Sequence, residues 1–439
     1  MSDPTSRRGT NGTGDTWRGF RLIPDDVLFF RNGKPSTRGS DHYLRSIFPP
    51  HPFTLYGALR TRRLLDEGVP LRGLARRWPE LPAELRAELG EWLGFGALEV
   101  RGPWLVRGDD ELLVPAPADL AIETAKPATK SKEDPAPKPK AMPGRRRLEP
   151  RSPPGAGKVA RLQPRRGTSP GGASHDLAGL EPCLPRGGTG TGSPSAWQPV
   201  PLEEQRGFHS PVSRSIDWWL TPRGLAAWRA GGVPEPGDLV HREALWVEEQ
   251  RTGVGLEGGD RKAEDSMIYT FGFVRLQQGV TLGFEARQTE LEAGGRVRLG
   301  GEARTALLVK GPSLPESTPE ERPAAGEPVR LAFATPTLCR AGAWPPRWNG
   351  DPGASVGALA GHRAELTGAC VGGFAQVGGW DLARGAPKPL RRAVPAGSVY
   401  LLSPKSGDDL TSLEGTCLSD YEDEHLARQG FGLALVGRG

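Results

Sequence analysis

The chain has 439 residues, 36% hydrophobic and 25% charged, with 61 Gly and 44 Pro. The length suits two or three domains, while so much Gly and Pro excludes a helical bundle or coiled coil and favours a loop-rich, strand-containing protein. A formal net charge of +5, with Arg dominating the basic residues, suits nucleic acid without requiring it, and no run approaches the roughly 18 apolar residues of a membrane span.

Met1–Thr16 is polar, lacks an apolar signal core and reads as a floppy tail on a cytoplasmic protein. A strand starts at Trp17 and runs through Phe20, Leu22 and Ile23. Pro24-Asp25-Asp26 turns the chain into a second apolar run, Val27–Phe30, and Asn32-Gly33 is a tight-turn dipeptide. After Pro49-Pro50-His51-Pro52, the spacing of Leu55, Ala58, Leu59 and Leu65 predicts a helix capped by Thr54, with Arg60, Arg62 and Arg63 mostly off its apolar stripe. Leu74–Leu93 predicts more helix, interrupted at Pro79 and Pro82. Leu98–Val106 and Glu111–Val114 read as a hairpin around Gly108-Asp109-Asp110.

Large apolar residues nearly vanish over 123–201, where Lys, Pro, Arg, Gly and Ser dominate. Such a segment buries too little surface to offset its ordering entropy, so it is expected to be a disordered basic insertion. A helix is expected over Pro222–Ala230. From there strands dominate: Leu245–Glu249, Met267–Gln277, Val280–Glu285, Ala306–Lys310, Val329–Thr335, Val399–Leu402 and a last strand after Gly430. The implied layout is a tail (1–16), a first domain (17–122, completed by 202–245), the insertion (123–201) and a second domain (246–439). The fold class is α+β.

Signs of catalysis are thin. The sequence has no P-loop, HExxH or GxSxG pattern. Its seven histidines never fall at metal-ligand spacing. Asp25-Asp26 suits either a metal ion or an ordinary turn, and His42 beside Tyr43 suits either RNA cleavage or RNA contact. The four cysteines are scattered and read as free thiols in a reducing compartment. No cofactor is expected. More informative are glycines beside Arg and aromatic residues: Arg251-Thr252-Gly253, Gly300-Gly301, Gly372-Gly373-Phe374 running to Gly378-Gly379-Trp380, and Gly430-Phe431-Gly432. Glycine lets a backbone approach phosphate closely, and single-stranded RNA binds through stacking and backbone contacts.

Pro24–Pro35 resembles the opening of the third-subunit family of the Cmr complex, the type III-B CRISPR effector, within the RAMP superfamily. Ile47–Thr61 resembles that family's proline loop and first helix, and Val114–Leu120 its next landmark. The Arg251–Leu256 loop, the Gly300-Gly301-Glu302 turn, Gly372-Gly373 and the terminal glycines follow in the expected order. The resemblance implies two ferredoxin-like (RRM-like) RAMP domains with long inserted, glycine-rich loops. It also implies no nuclease activity. The implied role is to cap the 5′ repeat-derived handle of the CRISPR RNA beside a large palm-domain polymerase-like subunit and an adjacent backbone RAMP subunit, with no membrane contact, in antiviral defence. The expected RNA contacts are Arg31, Lys34, Arg60, Arg251, Thr252 and Gly253, with Gly300, Gly301, Gly372, Gly373, Gly430 and Gly432 as close-approach positions; no catalytic or metal-binding residue is expected. The rival expectation is a metal-independent CRISPR-RNA-processing endoribonuclease using His42 or His51 with Tyr43.

Overall fold

Short runs of β-branched and aromatic residues, closed by Gly or Pro, become the strands of two large antiparallel sheets. In the computed structural model the described residues are 15–31, 43–91, 94–124, 153–161, 165–166, 197–198, 212–213, 217–256, 263–340, 342, 344–349, 356–381, 384–405, 407–421 and 425–439. The first part of the chain supplies β1 (Arg18–Pro24), β2 (Glu99–Arg107), β3 (Glu111–Pro115), β4 (Trp218–Leu220) and β5 (Leu239–His241). A long hairpin follows, β6 (Trp246–Leu256) and β7 (Ala263–Leu276), then β8 (Val280–Arg287), β9 (Arg296–Arg298) and β10 (Thr305–Lys310). Apart from the hairpin, these form one sheet in the order β5-β4-β3-β2-β8-β1-β10-β9. The second sheet uses β11 (Val329–Phe333), β12 (Val356–Leu359), β13 (His362–Cys370), β14 (Val399–Pro404) and β15 (Ala434–Arg438). Its order, from the short edge strand Trp348–Asn349, is β12-β13-β14-β11-β15.

Each sheet contains the same four-strand pattern. In β10-β1-β8-β2 and in β15-β11-β14-β13, the strand order is fourth, first, third, second along the chain, and every neighbour is antiparallel. Helix α1 (Pro52–Asp66) connects the first and second strands of the first set and buries Leu55, Ala58, Leu59 and Leu64 in its core.

Several expectations change. The two sheets divide the chain between Lys310 and Val329, not at 246: β8 and β10 flank β1, with Arg21 opposite both Gly283 and Val309. An interior strand pairs its backbone on both sides, and the partners of β1 lie far along the chain. Within 123–201, Ala156–Arg161 forms a strand against Leu120–Thr124, which also pairs with Val212–Ser213. Ala156 and Val159 pack against a buried cluster, so this piece joins a core despite its poor composition; most of the rest of the insertion lies outside the described residues. Helix α1 starts at Pro52 rather than after Thr54, with His51 at the N-cap and no side-chain cap. Proline suits the first turn because its missing N–H is not needed there. Leu65 is exposed, while Arg63 turns inward to Glu88 at 2.8 Å. The hairpin at 108–110, the interrupted helices after Leu74 and the helix Pro222–Arg229, capped by Thr221 on the Gly224 N–H, form as the sequence suggests.

The sheets meet across an apolar seam. Trp104, Trp218, Trp228, Val399 and Leu435 share one cluster drawn from both. At its heart Arg330 on β11, fully buried, donates to Asp119 Oδ2 at 2.8 Å, to the Trp228 carbonyl at 2.7 Å and to the Arg438 carbonyl at 2.6 Å.

Candidate nucleic-acid interface

The Arg251-Thr252-Gly253 run is not a loop. It lies mid-strand in β6, with Arg251 opposite Phe271, Thr252 opposite Thr270 and Gly253 opposite Tyr269. Alternation puts Arg251 on the face that covers the Asp26–Phe29 segment. There its guanidinium pairs with Glu249 at 2.7 Å and Asp26 at 3.1 Å and lies over the Phe273 ring. Arg275 and Arg304 reach the same Asp26 at 3.0 and 3.4 Å. Hydrogen bonds from Arg275 and then Arg251 hold the Glu249 carboxyl below its usual range. For Asp26, burial pulls upward, but bonds from the Val27 backbone, Arg251 and Arg275 outweigh it and the pKa is lowered. Asp25 is lowered too, first by the hydrogen bond from Arg296 and then by that from Thr305. Both aspartates are therefore engaged by arginines: Asp26 ties Arg251 and Arg275 of the hairpin to the first sheet, while Asp25 holds Arg296 and Thr305 within that sheet.

Gly253 is required by packing: a Cβ there would meet the Tyr269 ring at about 2.5 Å. Thr252 shares a 3.0 Å hydroxyl contact with Thr270 on the opposite, exposed face. On that face Tyr43–Arg45 pairs in parallel with β7, the Tyr43 hydroxyl meets Glu248, and Arg45 pairs with Glu248 at 3.0 Å.

The other sequence-predicted residues scatter. Arg31 is exposed and bridges to Ser46 through its backbone. Lys34 and His42 lie outside the described residues. Arg60 lies over the Trp78 ring at 4.8 Å and donates to the Glu91 carbonyl at 2.7 Å; burial lowers its pKa. Its surroundings fasten α1 to the helices that follow. Gly300, at φ +79°, lets the turn close on the Phe29 carbonyl, and the Gly301 N–H donates to that carbonyl at 2.8 Å. Gly430 packs against the Gly102 carbonyl of the first sheet, and Gly432 against the Ser419 amide. Those four glycines serve close packing, whereas Gly372 and Gly373 have open space around them.

The open glycines lead into a small lobe. Ala375–Val377 pairs with Arg391–Ala393, and Trp380–Asp381 with Ala386–Pro387. Residues 371–393 hold Arg384, Lys388, Arg391 and Arg392 against a single acid, Asp381. Phe374 and Trp380 are 50% and 51% exposed. Arg392 lies over Phe374 at 4.8 Å and Arg391 over Tyr421 at 4.9 Å. Lys388 sits over the Phe53 ring of α1 at 4.2 Å, where burial lowers its pKa, tying the lobe to the first sheet. Exposed rings beside cations are what single-stranded nucleic acid needs: a flat surface for a base and charge for its phosphate. Sequence reasoning found the glycines and the aromatics here but missed the four cations. The consecutive Arg391-Arg392 was the available signal.

His51 is 7% exposed, and burial pushes its pKa down to about 4. Among the described residues its Nε2 has no hydrogen-bond partner. Among the described residues, no group of three or more His, Cys, Asp or Glu is placed to hold a metal ion. Cys339, Cys370 and Cys417 are free thiols whose pKa values burial raises, and Cys183 lies outside the described residues. No helix among the described residues is long and apolar enough to cross a membrane.

A family model described as CRISPR-associated protein (Cas_Cmr3) matches residues 20–439. The chain belongs to the Cas_Cmr3 family. Among solved structures, a chain of a type III-B Cmr-beta complex bound to cognate target RNA and AMPPnP is similar at 11% identity and TM-score 0.42, covering 88% of this chain and 86% of that one. A chain of a Csm3-Csm4 subcomplex of the type III-A interference complex is similar at 9% identity and TM-score 0.32, covering 88% and 94%. No curated protein matches. For a Cas_Cmr3 protein, the exposed rings and cations of the 371–393 lobe are the features that most need a functional account.

Proposed function

We propose that this Cas_Cmr3 protein is a non-catalytic, RNA-binding subunit of a type III-B CRISPR effector, working in the cytoplasm in antiviral defence. It holds the 5′ repeat-derived handle of the CRISPR RNA, docks the large palm-domain subunit and touches an adjacent backbone RAMP subunit. The observation that carries this function is the 371–393 lobe, where exposed Phe374 and Trp380 stand among four cations and open glycines. The repeated fourth-first-third-second strand order supports two ferredoxin-like units as its frame. The absence of catalysis is favoured by the burial of His51, 7% exposed, which keeps its ring out of reach of an RNA backbone.

The test is handle binding by the assembled complex. Trp380→Ala and Phe374→Ala should each weaken retention of a repeat-derived RNA by about 1–3 kcal/mol, the worth of one stacked base. Arg392→Gln should make the dependence of affinity on salt shallower, because one fewer counterion is released. Retention without product bands is expected. Equal affinity and slope in all three variants would remove the lobe from the interface, and cleavage of the RNA by the purified subunit would favour an endoribonuclease.

A further inference from the structure

A second cationic feature lies away from the hairpin, in the seam between the sheets. A cavity of about 230 Å³ opens there, lined by Trp17, Arg101 and Arg287 from the first sheet and by Arg347, Thr416 and Arg428 from the second unit. Two of its arginines are matched: Arg287 pairs with Glu99 at 2.8 Å and Arg101 with Glu285 at 3.6 Å. The other two are not matched by acids. Arg428 donates to the Gly96 carbonyl at 3.0 Å and the Arg347 backbone N–H to Asp420 Oδ2 at 2.7 Å, but among the described residues no acidic side chain pairs with the guanidinium of either. The lining therefore carries an excess of positive charge: among its described residues four arginines face one acid, Glu99, and the two unmatched arginines are exposed, where an anion from solvent reaches them.

The aromatic component is placed to match. Trp17 lies over the guanidinium carbons of Arg101 and Arg287, at 4.0 and 4.6 Å from its ring centre. Those arginines hold the indole at the cavity wall. Gly415-Thr416-Cys417 also line the cavity, and Gly415, at φ +70°, sits beside the Arg101 guanidinium, which a Cβ there would meet at 3.5 Å. A water occupies about 30 Å³ in the liquid, so the cavity of about 230 Å³ has room for a phosphate group with part of its sugar, the rest of a nucleotide lying outside it. Guanidinium groups bind phosphate through paired N–H donors.

We propose that this seam cavity is a binding site for the phosphate of a nucleotide, with Arg347 and Arg428 as its main charges and Trp17 in the wall beside the sugar. Because the lining comes from both units, an occupant bridges them and stabilises their relative placement. The site stands apart from the 371–393 lobe and does not depend on handle binding there. The phosphate has two possible sources, a nucleotide within an RNA strand or a free nucleotide, and both present the same chemistry to the cavity.

The experiment uses the full chain with two probes: ATP by calorimetry and a fluorescent single-stranded RNA by anisotropy. Arg347→Gln, Arg428→Gln and the double variant are compared with Arg72→Gln, an exposed arginine that does not line the cavity. The double variant should lose about 10-fold or more in affinity for at least one probe, while Arg72→Gln matches wild type. Loss for ATP identifies a free nucleotide as the occupant; loss for RNA alone identifies a strand. Trp17→Ala should weaken that same probe but leave inorganic pyrophosphate binding unchanged. Arg347→Gln alone, at an exposed position, keeps the comparison interpretable where the double variant is unstable. The site is overturned when neither probe binds the wild type, when the double variant binds both as tightly as wild type, or when its only defect is loss of a co-purifying subunit, which would make the cavity a protein contact.

Discussion

Removing the carboxylate of Asp119 should be among the most damaging single changes in the molecule. Arg330 is 0% exposed, and among the described residues its guanidinium has one charged partner, Asp119, besides the carbonyls of Trp228 and Arg438. Asp119 also accepts from the Trp228 indole N–H at 3.0 Å. Asp119→Ala therefore strands a buried cation and leaves the indole donor unmet. Breaking a buried ion pair from one side costs about 3–5 kcal/mol, and the orphaned N–H adds to that within the range of about 1–3 kcal/mol for a buried donor. Arg330→Met in the same background removes the stranded charge and fills its space with apolar volume. The double variant should thus recover at least about 2 kcal/mol of the Asp119→Ala loss. Urea unfolding followed by tryptophan fluorescence reads all three, with Trp228 itself at the pair. A loss below about 1 kcal/mol for Asp119→Ala, or a double variant as damaged as the sum of the singles, would refute the claim that this pair clamps the two sheets.

Gly253→Ala should cost about 1–3 kcal/mol, because its Cβ drives into the Tyr269 ring; adding Tyr269→Ala should return most of it, read by thermal midpoint. The hairpin clamp should weaken in acid. Asp26, which ties the hairpin to the first sheet, and Glu249, which braces Arg251 and Arg275, have lowered pKa values in the folded protein, so their contribution is full above the ordinary carboxylate range near pH 4 and is lost as pH falls through the lowered values. Hydrogen exchange across β6 and β7 should accelerate below about pH 4 before it does across β1 and β8, and simultaneous loss in both would show that the carboxylates do not hold the hairpin. His51→Ala should leave assembly of the complex and its RNA cleavage unchanged, and a loss of cleavage with assembly intact would restore a catalytic role to that ring.

The sequence by itself determined the features set within a few residues. Leu98–Val114 was legible as a hairpin because alternation and the Gly108-Asp109-Asp110 turn are local, and Gly108 takes the positive φ of 64° that favours glycine. The helix over Pro222–Arg229 was legible from its proline and apolar spacing, and most strands after Leu239 from composition. The tertiary structure decided what depends on residues brought together from afar. It gave β1 its partners in β8 and β10, and so moved the boundary between the units from 246 to the stretch after Lys310. It turned Arg251 from a loop residue into one arm of an ion-pair network with Asp26, 225 residues away. It paired Asp119 with Arg330, and it set four arginines and Trp17 around one cavity. Alternation along a strand tells which residues share a face, but not what that face meets. Whether a given arginine binds a carboxylate of its own chain or is left for a phosphate is settled by that meeting, because Coulomb attraction and burial depend on distance in space and not along the chain.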